Sequence, residues 1–136
     1  MSESVESGSP KIRRAAAVLL VAAGVIHLVL APEYLAENRL IGLLFVAAVP
    51  ATFVPAVVLW RTGARLGWLL GAAVAAGMVV GFVLSRTVGL LGYVSNDWAE
   101  GVPALTAELA FILLWGYATL LLPSASRASR SAMRVP

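Results

Sequence analysis

An all-α integral membrane bundle of four helices is the fold this sequence predicts, and three observations predict it. The 136-residue chain is 60% hydrophobic and 12% charged, with a mean hydropathy of +0.91. Soluble domains carry about 25% charged residues, so a soluble fold of this length would expose far more apolar surface than a monomer tolerates. Second, the apolar residues fall into four runs, Ala15–Ala31, Leu40–Trp60, Leu66–Leu84 and Val102–Leu122, each near the length a helix needs to cross a bilayer. Third, the basic residues sit at the ends of these runs and in the tails, as membrane orientation requires. The same placement explains the net charge of +3 and the pI of about 10 without nucleic acid as a partner.

Taken in order, residues 1–14 read as a polar tail too poor in apolar residues to fold alone, ending in Lys11, Arg13 and Arg14. The run that follows has the outline of a signal peptide. Pro32 after the small residues at its end, and the spans beyond, make it an uncleaved signal anchor. Pro32 is expected to end the first helix and to open a short polar connection, Pro32 to Arg39. The second span carries Pro50 and Pro55 and is expected to kink. Arg61 to Arg65 is a tight basic turn. The third span holds Gly67, Gly71, Gly77 and Gly81, two Gly-x-x-x-Gly pairs that predict a face for close helix packing, within the chain or against a second copy. Residues 85–101 form the longest loop, with Tyr93 and Trp98 suited to the membrane interface. Pro103 opens the fourth span and Pro123 closes it, and residues 123–136 form a basic tail for anionic headgroups.

Four spans put both termini on one side. With the termini inside, that side holds Lys11, Arg13, Arg14, Arg61, Arg65, Arg127, Arg130 and Arg134, against Arg39 and Arg86 outside. Eight against two places both termini in the cytoplasm and the protein in the plasma membrane. The outer face is then acidic, with Glu33, Glu37, Asp97, Glu100 and Glu108 on or near it.

Polar chemistry within the spans is concentrated there. His27, the only histidine, lies four residues before the end of span one, roughly 6 Å deep at the helical rise. Glu108 lies at a similar depth in span four, and Arg86 at the outer end of span three. Ionisable groups in a membrane are costly, so His27, Glu33, Arg86 and Glu108 are expected to face the bundle interior and pair, with Glu37, Asp97 and Glu100 as further contributors. The cluster supports four readings: a network that fixes helix register, a pocket for a small ligand or lipid headgroup, a divalent-metal site, or a proton-coupled transport site.

One histidine beside carboxylates is a chemically adequate start for zinc or manganese, but no HExxH-type spacing supports it. The absence of cysteine removes disulfides, thiol chemistry and Cys-ligated clusters, and a single histidine excludes bis-histidine haem. No G-x-S-x-G, P-loop or dinucleotide-binding glycine pattern is present, so neither an enzymatic activity nor a cofactor is expected. The expected partners are the lipid bilayer and a second copy or a larger membrane complex. The leading expectation is a non-enzymatic accessory subunit or small-ligand binder, with a proton-coupled transporter and a metal-binding protein as alternatives.

Three stretches, His27 with Ala31-Pro32-Glu33-Tyr34, Ser85-Arg86-Thr87-x-Gly89, and Glu100-Gly101 leading to Glu108, resemble a group of small four-span prokaryotic membrane proteins of unknown function. The likeness runs from about Ala22 to Leu122. Tyr34 stands where that group has a second histidine, and Leu91 where it has a proline. The resemblance implies that His27, Glu33, Arg86 and Glu108 act as one unit. It implies no activity. A looser similarity to the small multidrug transporters, in size and span number, lacks their glutamate in the first span.

The topology is directly testable because the chain has no native cysteine. Ser2→Cys and Ser131→Cys should resist an impermeant thiol reagent in intact cells, whereas Ser95→Cys should react. Labelling of either terminus refutes the orientation.

Overall fold

The computed structural model describes residues 9–121, in four helices each long and apolar enough to cross a membrane. Among the described residues there is no strand, only an isolated bridge between Leu90 and Tyr93. Residues 1–8 and the tail bearing Arg127, Arg130 and Arg134 lie outside the described residues. The helices are α1 (Pro10–Glu37), α2 (Arg39–Thr62), α3 (Arg65–Arg86) and α4 (Val102–Gly116), the last continuing as a π-helical turn, Tyr117–Leu121. They pack up and down, with neighbours in chain order and α4 closing against α1.

The two largest departures from the boundaries read in the sequence are both in α1. The helix begins at Pro10, so Pro10 to Arg14 belong to it and not to the tail. Proline at the first helical position has no N–H to leave unpaired, and the Ser9 hydroxyl accepts from Ile12 N at 3.5 Å. The cations of this turn lie at the bundle's end, where the Arg14 guanidinium sits 5.5 Å from the Trp60 ring centroid. At its other end α1 does not stop at Pro32 but runs through it to Glu37. Proline removes one backbone hydrogen bond, yet the turn beyond it is held by tertiary contacts. Tyr34 is buried there, stacked on Phe45 of α2 with ring centroids 4.1 Å apart.

The connection shrinks to one residue, Asn38. Its N–H donates to Tyr34 O at 2.9 Å, and its Oδ1 accepts from Leu40 N at 3.0 Å and Ile41 N at 3.2 Å, ending α1 and capping α2 together. At the opposite end, Gly63 takes φ 64°, the left-handed conformation that lets α2 stop and the chain turn into α3.

The interior divides along the bundle axis. Towards the end that carries the termini, Ala16, Leu20, Leu59, Trp68, Ala75, Phe111 and Ala118 make a solid core with contributions from all four helices. Gly67 and Gly71 belong to this half. A Cβ on Gly67 would meet Val58 and Leu59 of α2 at 3.0–3.2 Å, and one on Gly71 would come within 2.5 Å of Phe111 in α4. Towards the far end the helices separate. A Cβ on Gly77 would meet nothing within 4 Å, and one on Gly81 would make only an ordinary contact with Leu90. Within the chain the glycine face expected for close packing is thus split: its first pair lets helices touch, while its second pair leaves space. The outward surfaces of the helices stay apolar, with Val29 70% and Leu113 75% exposed, as lipid-facing surfaces are.

This split predicts opposite responses to one substitution. Gly71→Leu overpacks the core and should lower stability by about 1–3 kcal/mol. Gly77→Leu adds its side chain to empty space and should leave the melting temperature in detergent nearly unchanged. Equal losses at both positions would refute the division of the interior.

Candidate functional site

The far half of the bundle encloses a cavity of about 440 Å³ with contributions from all four helices and from the loop between α3 and α4. Its wall is mainly aliphatic: Ile26 and Leu30 of α1, Ile41 and Ala48 of α2, Val74 and Met78 of α3, Ala104 and Leu105 of α4. Leu44 and Ala47 of α2, and Ala73, Gly77 and Val80 of α3, line it while being exposed on the outer surface, which marks a side opening between α2 and α3. The ionisable groups His27, Tyr34, Arg86, Tyr93 and Glu108 also line it. Of the four residues the sequence singled out, three therefore share one cavity. Glu33 does not: it is exposed on α1 and lies outside the wall.

The polar residues form two separate groups. The first centres on Arg86, buried at the end of α3. Its Nε donates to Asp97 O at 3.0 Å, its Nη1 to Ser85 Oγ at 2.8 Å, and its Nη2 to the Tyr34 hydroxyl at 3.4 Å. Nη2 also lies 3.9 Å from Glu100 Oε2, which accepts from the Tyr34 hydroxyl at 2.8 Å. The guanidinium carbon sits 4.5 Å from the Phe82 ring centroid. One cation thereby joins α1, α3 and the loop just before α4.

The same loop is fastened at two further points. Ser95 N donates to Ser85 O at 2.8 Å, and the Tyr93 hydroxyl donates to Glu37 Oε2 at 2.9 Å. Burial raises the Tyr93 phenol above its ordinary range, and donation to the Glu37 carboxylate acts in the same direction, so the hydroxyl stays a donor at neutral pH. Asp97 turns its carboxylate to Ala99 N and Glu100 N, at 2.9 and 3.2 Å, shaping the loop instead of meeting Arg86. Part of the loop folds over the cavity through Leu90 and Tyr93, while Val88, Leu91, Val94 and Trp98 are exposed.

The second group is His27 with Glu108. His27 Nδ1 donates to Ala23 O, one turn back, at 2.8 Å, which directs Nε2 across to Glu108 Oε1 at 4.0 Å. That gap exceeds hydrogen-bond length. Glu108 is 3% exposed and has no hydrogen bond to another group among the described residues. The expected ion pair between Arg86 and Glu108 is absent: the guanidinium's neighbours are Glu100, Tyr34, Ser85 and the Asp97 carbonyl, and the carboxyl's neighbour is His27.

Among the described residues no three of His, Asp and Glu converge as a metal-ligand set. The sequence reading missed Tyr34 and Phe45 as site residues. Tyr34 lies seven residues after His27, two helical turns along one face, but only if the helix continues through Pro32. Taking the proline as a break hid that register. Phe45 carried no signal, being one apolar residue in an apolar span.

No protein-family model matches the chain, and no curated protein and no solved structure is significantly similar to it. The likeness read in the sequence therefore rests on its motifs alone.

The partner exchange at Arg86 is measurable by double-mutant cycles on unfolding in detergent. Arg86→Met with Glu100→Gln should show a coupling of about 0.2–1 kcal/mol, the range for pairs in contact with water. Arg86→Met with Glu108→Gln should show a smaller one. A larger coupling in the second cycle would refute the two-group arrangement.

Proposed function

We propose that this protein crosses the plasma membrane four times with both termini in the cytoplasm, and that it binds a small amphiphilic molecule drawn from the bilayer, without catalysis. The observation that carries the reading is the far-half cavity. Its volume falls in the range of about 300–1,000 Å³ usual for ligand sites, and such sites are apolar with a few placed polar groups. An opening between α2 and α3 faces the surface that lipid would cover, so an apolar ligand reaches the cavity without crossing water. Arg86, Tyr34, Glu100 and Tyr93 stand at the headgroup end, and the aliphatic wall extends towards the middle of the bundle.

A second reading, proton-coupled transport, is favoured by one observation: His27 and Glu108 face each other in the cavity with room for a proton to be exchanged between them. A metal-binding role is less supported, because this pair offers two donors where a stable site takes three or four.

The binding reading is tested by purification in lipid nanodiscs followed by mass spectrometry of extracted small molecules. A discrete amphiphile should accompany the native protein in near-stoichiometric amount. Gly77→Leu combined with Gly81→Leu, which fills the opening, should remove it while the protein remains folded. The same bulk lipid profile in both proteins refutes the reading.

A further inference from the structure

We infer that the His27–Glu108 pair is the recognition element for an organic ammonium cation carrying an N–H group on an apolar body, taken up in exchange for one proton. The inference rests on the cavity-binding reading above and specifies the ligand.

Charge accounting around the cavity argues against an anionic ligand. From α1, His27 and Tyr34 face it; from α3, Arg86; from the loop, Tyr93; from α4, Glu108; and α2 brings no ionisable side chain to the wall. An anionic ligand would need an uncommitted cation, and Arg86 is held by Asp97 O, Ser85, Tyr34 and Glu100. Glu108 is the group without a hydrogen-bonding partner, and it is turned into an apolar space where its charge has no strong counter-ion.

The geometry then selects an N–H donor. Because Nδ1 is committed to Ala23 O, the neutral imidazole presents Nε2 as an acceptor. An ionised Glu108 presents Oε1 as a second acceptor, 4.0 Å away. A single nitrogen can stand at about 2.8–3.0 Å from both, which a primary or secondary ammonium satisfies with two N–H bonds. Phe45 lies beside His27, ring centroids 4.9 Å apart, and adds an aromatic flank of the kind that attracts cations.

Without ligand, the pair is neutral with one proton on the Glu108 carboxyl and His27 as the neutral imidazole. When the cation enters, that proton leaves to solvent and the pair becomes an anion matched by the ammonium. Net charge in the cavity stays constant, which is the low-cost course in an apolar medium. Binding therefore strengthens as pH rises, until the pair has lost its proton without help.

Isothermal titration calorimetry of the protein in nanodiscs, corrected with empty discs, tests this with octylammonium and with n-octanol as the neutral probe of equal chain length. Buffers of different ionisation enthalpy count the protons released. Octylammonium should bind with about one proton released. Glu108→Gln should weaken octylammonium at least about tenfold, the cost of one charge-assisted hydrogen bond, while leaving octanol binding in place. Gly77→Leu combined with Gly81→Leu should abolish both. Octanol binding together with octylammonium that ignores Glu108→Gln, or that releases no proton, overturns the cation inference and leaves the cavity reading standing. Binding of neither probe, or of both undiminished in the Gly77→Leu, Gly81→Leu double variant, overturns both.

Discussion

The arrangement of the far half depends on where the Arg86 guanidinium is held. A cation at the end of an apolar helix must find acceptors or remain in water. Here it finds the Asp97 carbonyl, the Ser85 hydroxyl, the Tyr34 phenol and the Glu100 carboxylate. Those contacts tie the loop to α1 and α3 and fix the point from which α4 starts. They also remove Arg86 from reach as a partner for Glu108. The carboxyl is left with His27 in the cavity, 4.0 Å from its Nε2.

The extension of α1 through Pro32 makes this possible. The turn from Glu33 to Glu37 places Tyr34 over Phe45 and sends its hydroxyl to Glu100, and it brings Glu37 within reach of Tyr93. A helix ending at Pro32 would lose these contacts, and the loop would lose its support from α1. The missing backbone hydrogen bond at proline is thus offset by an aromatic stack and charge-assisted hydrogen bonds on the same turn.

The two halves of the bundle differ in packing: one is solid and the other holds the cavity. Near the termini, large and small side chains interlock: Phe111 and Leu20 against Gly71, Trp68 against Phe111 at a centroid distance of 6.0 Å. That packing holds four helices together by dispersion, which has to serve in a medium that gives no hydrophobic drive between helices. The far half forgoes such packing at Gly77 and Gly81, and the space it leaves is the cavity. One helix therefore joins a rigid base to an open end.

The sequence by itself determined the class of the fold, because span length and apolar content are one-dimensional properties that the bilayer reads directly: four runs become four membrane-length helices. It also led to the expectation that His27, Arg86 and Glu108 would share a level, since depth along a helix follows from residue count; the three line one cavity, with Arg86 at Tyr34, two helical turns along α1 from His27. It did not determine which of them would meet. Pairing depends on rotation of each helix about its axis and on the path of the loop, and both are settled by contacts between residues far apart in sequence, such as Tyr34 with Glu100 and Arg86 with Asp97. The same holds for the glycines of α3, whose spacing is alike in both pairs. Whether each pair meets a helix or open space was decided by the side chains opposite, Phe111 and Leu59 at one end and only Leu90, at ordinary contact distance from Gly81, at the other.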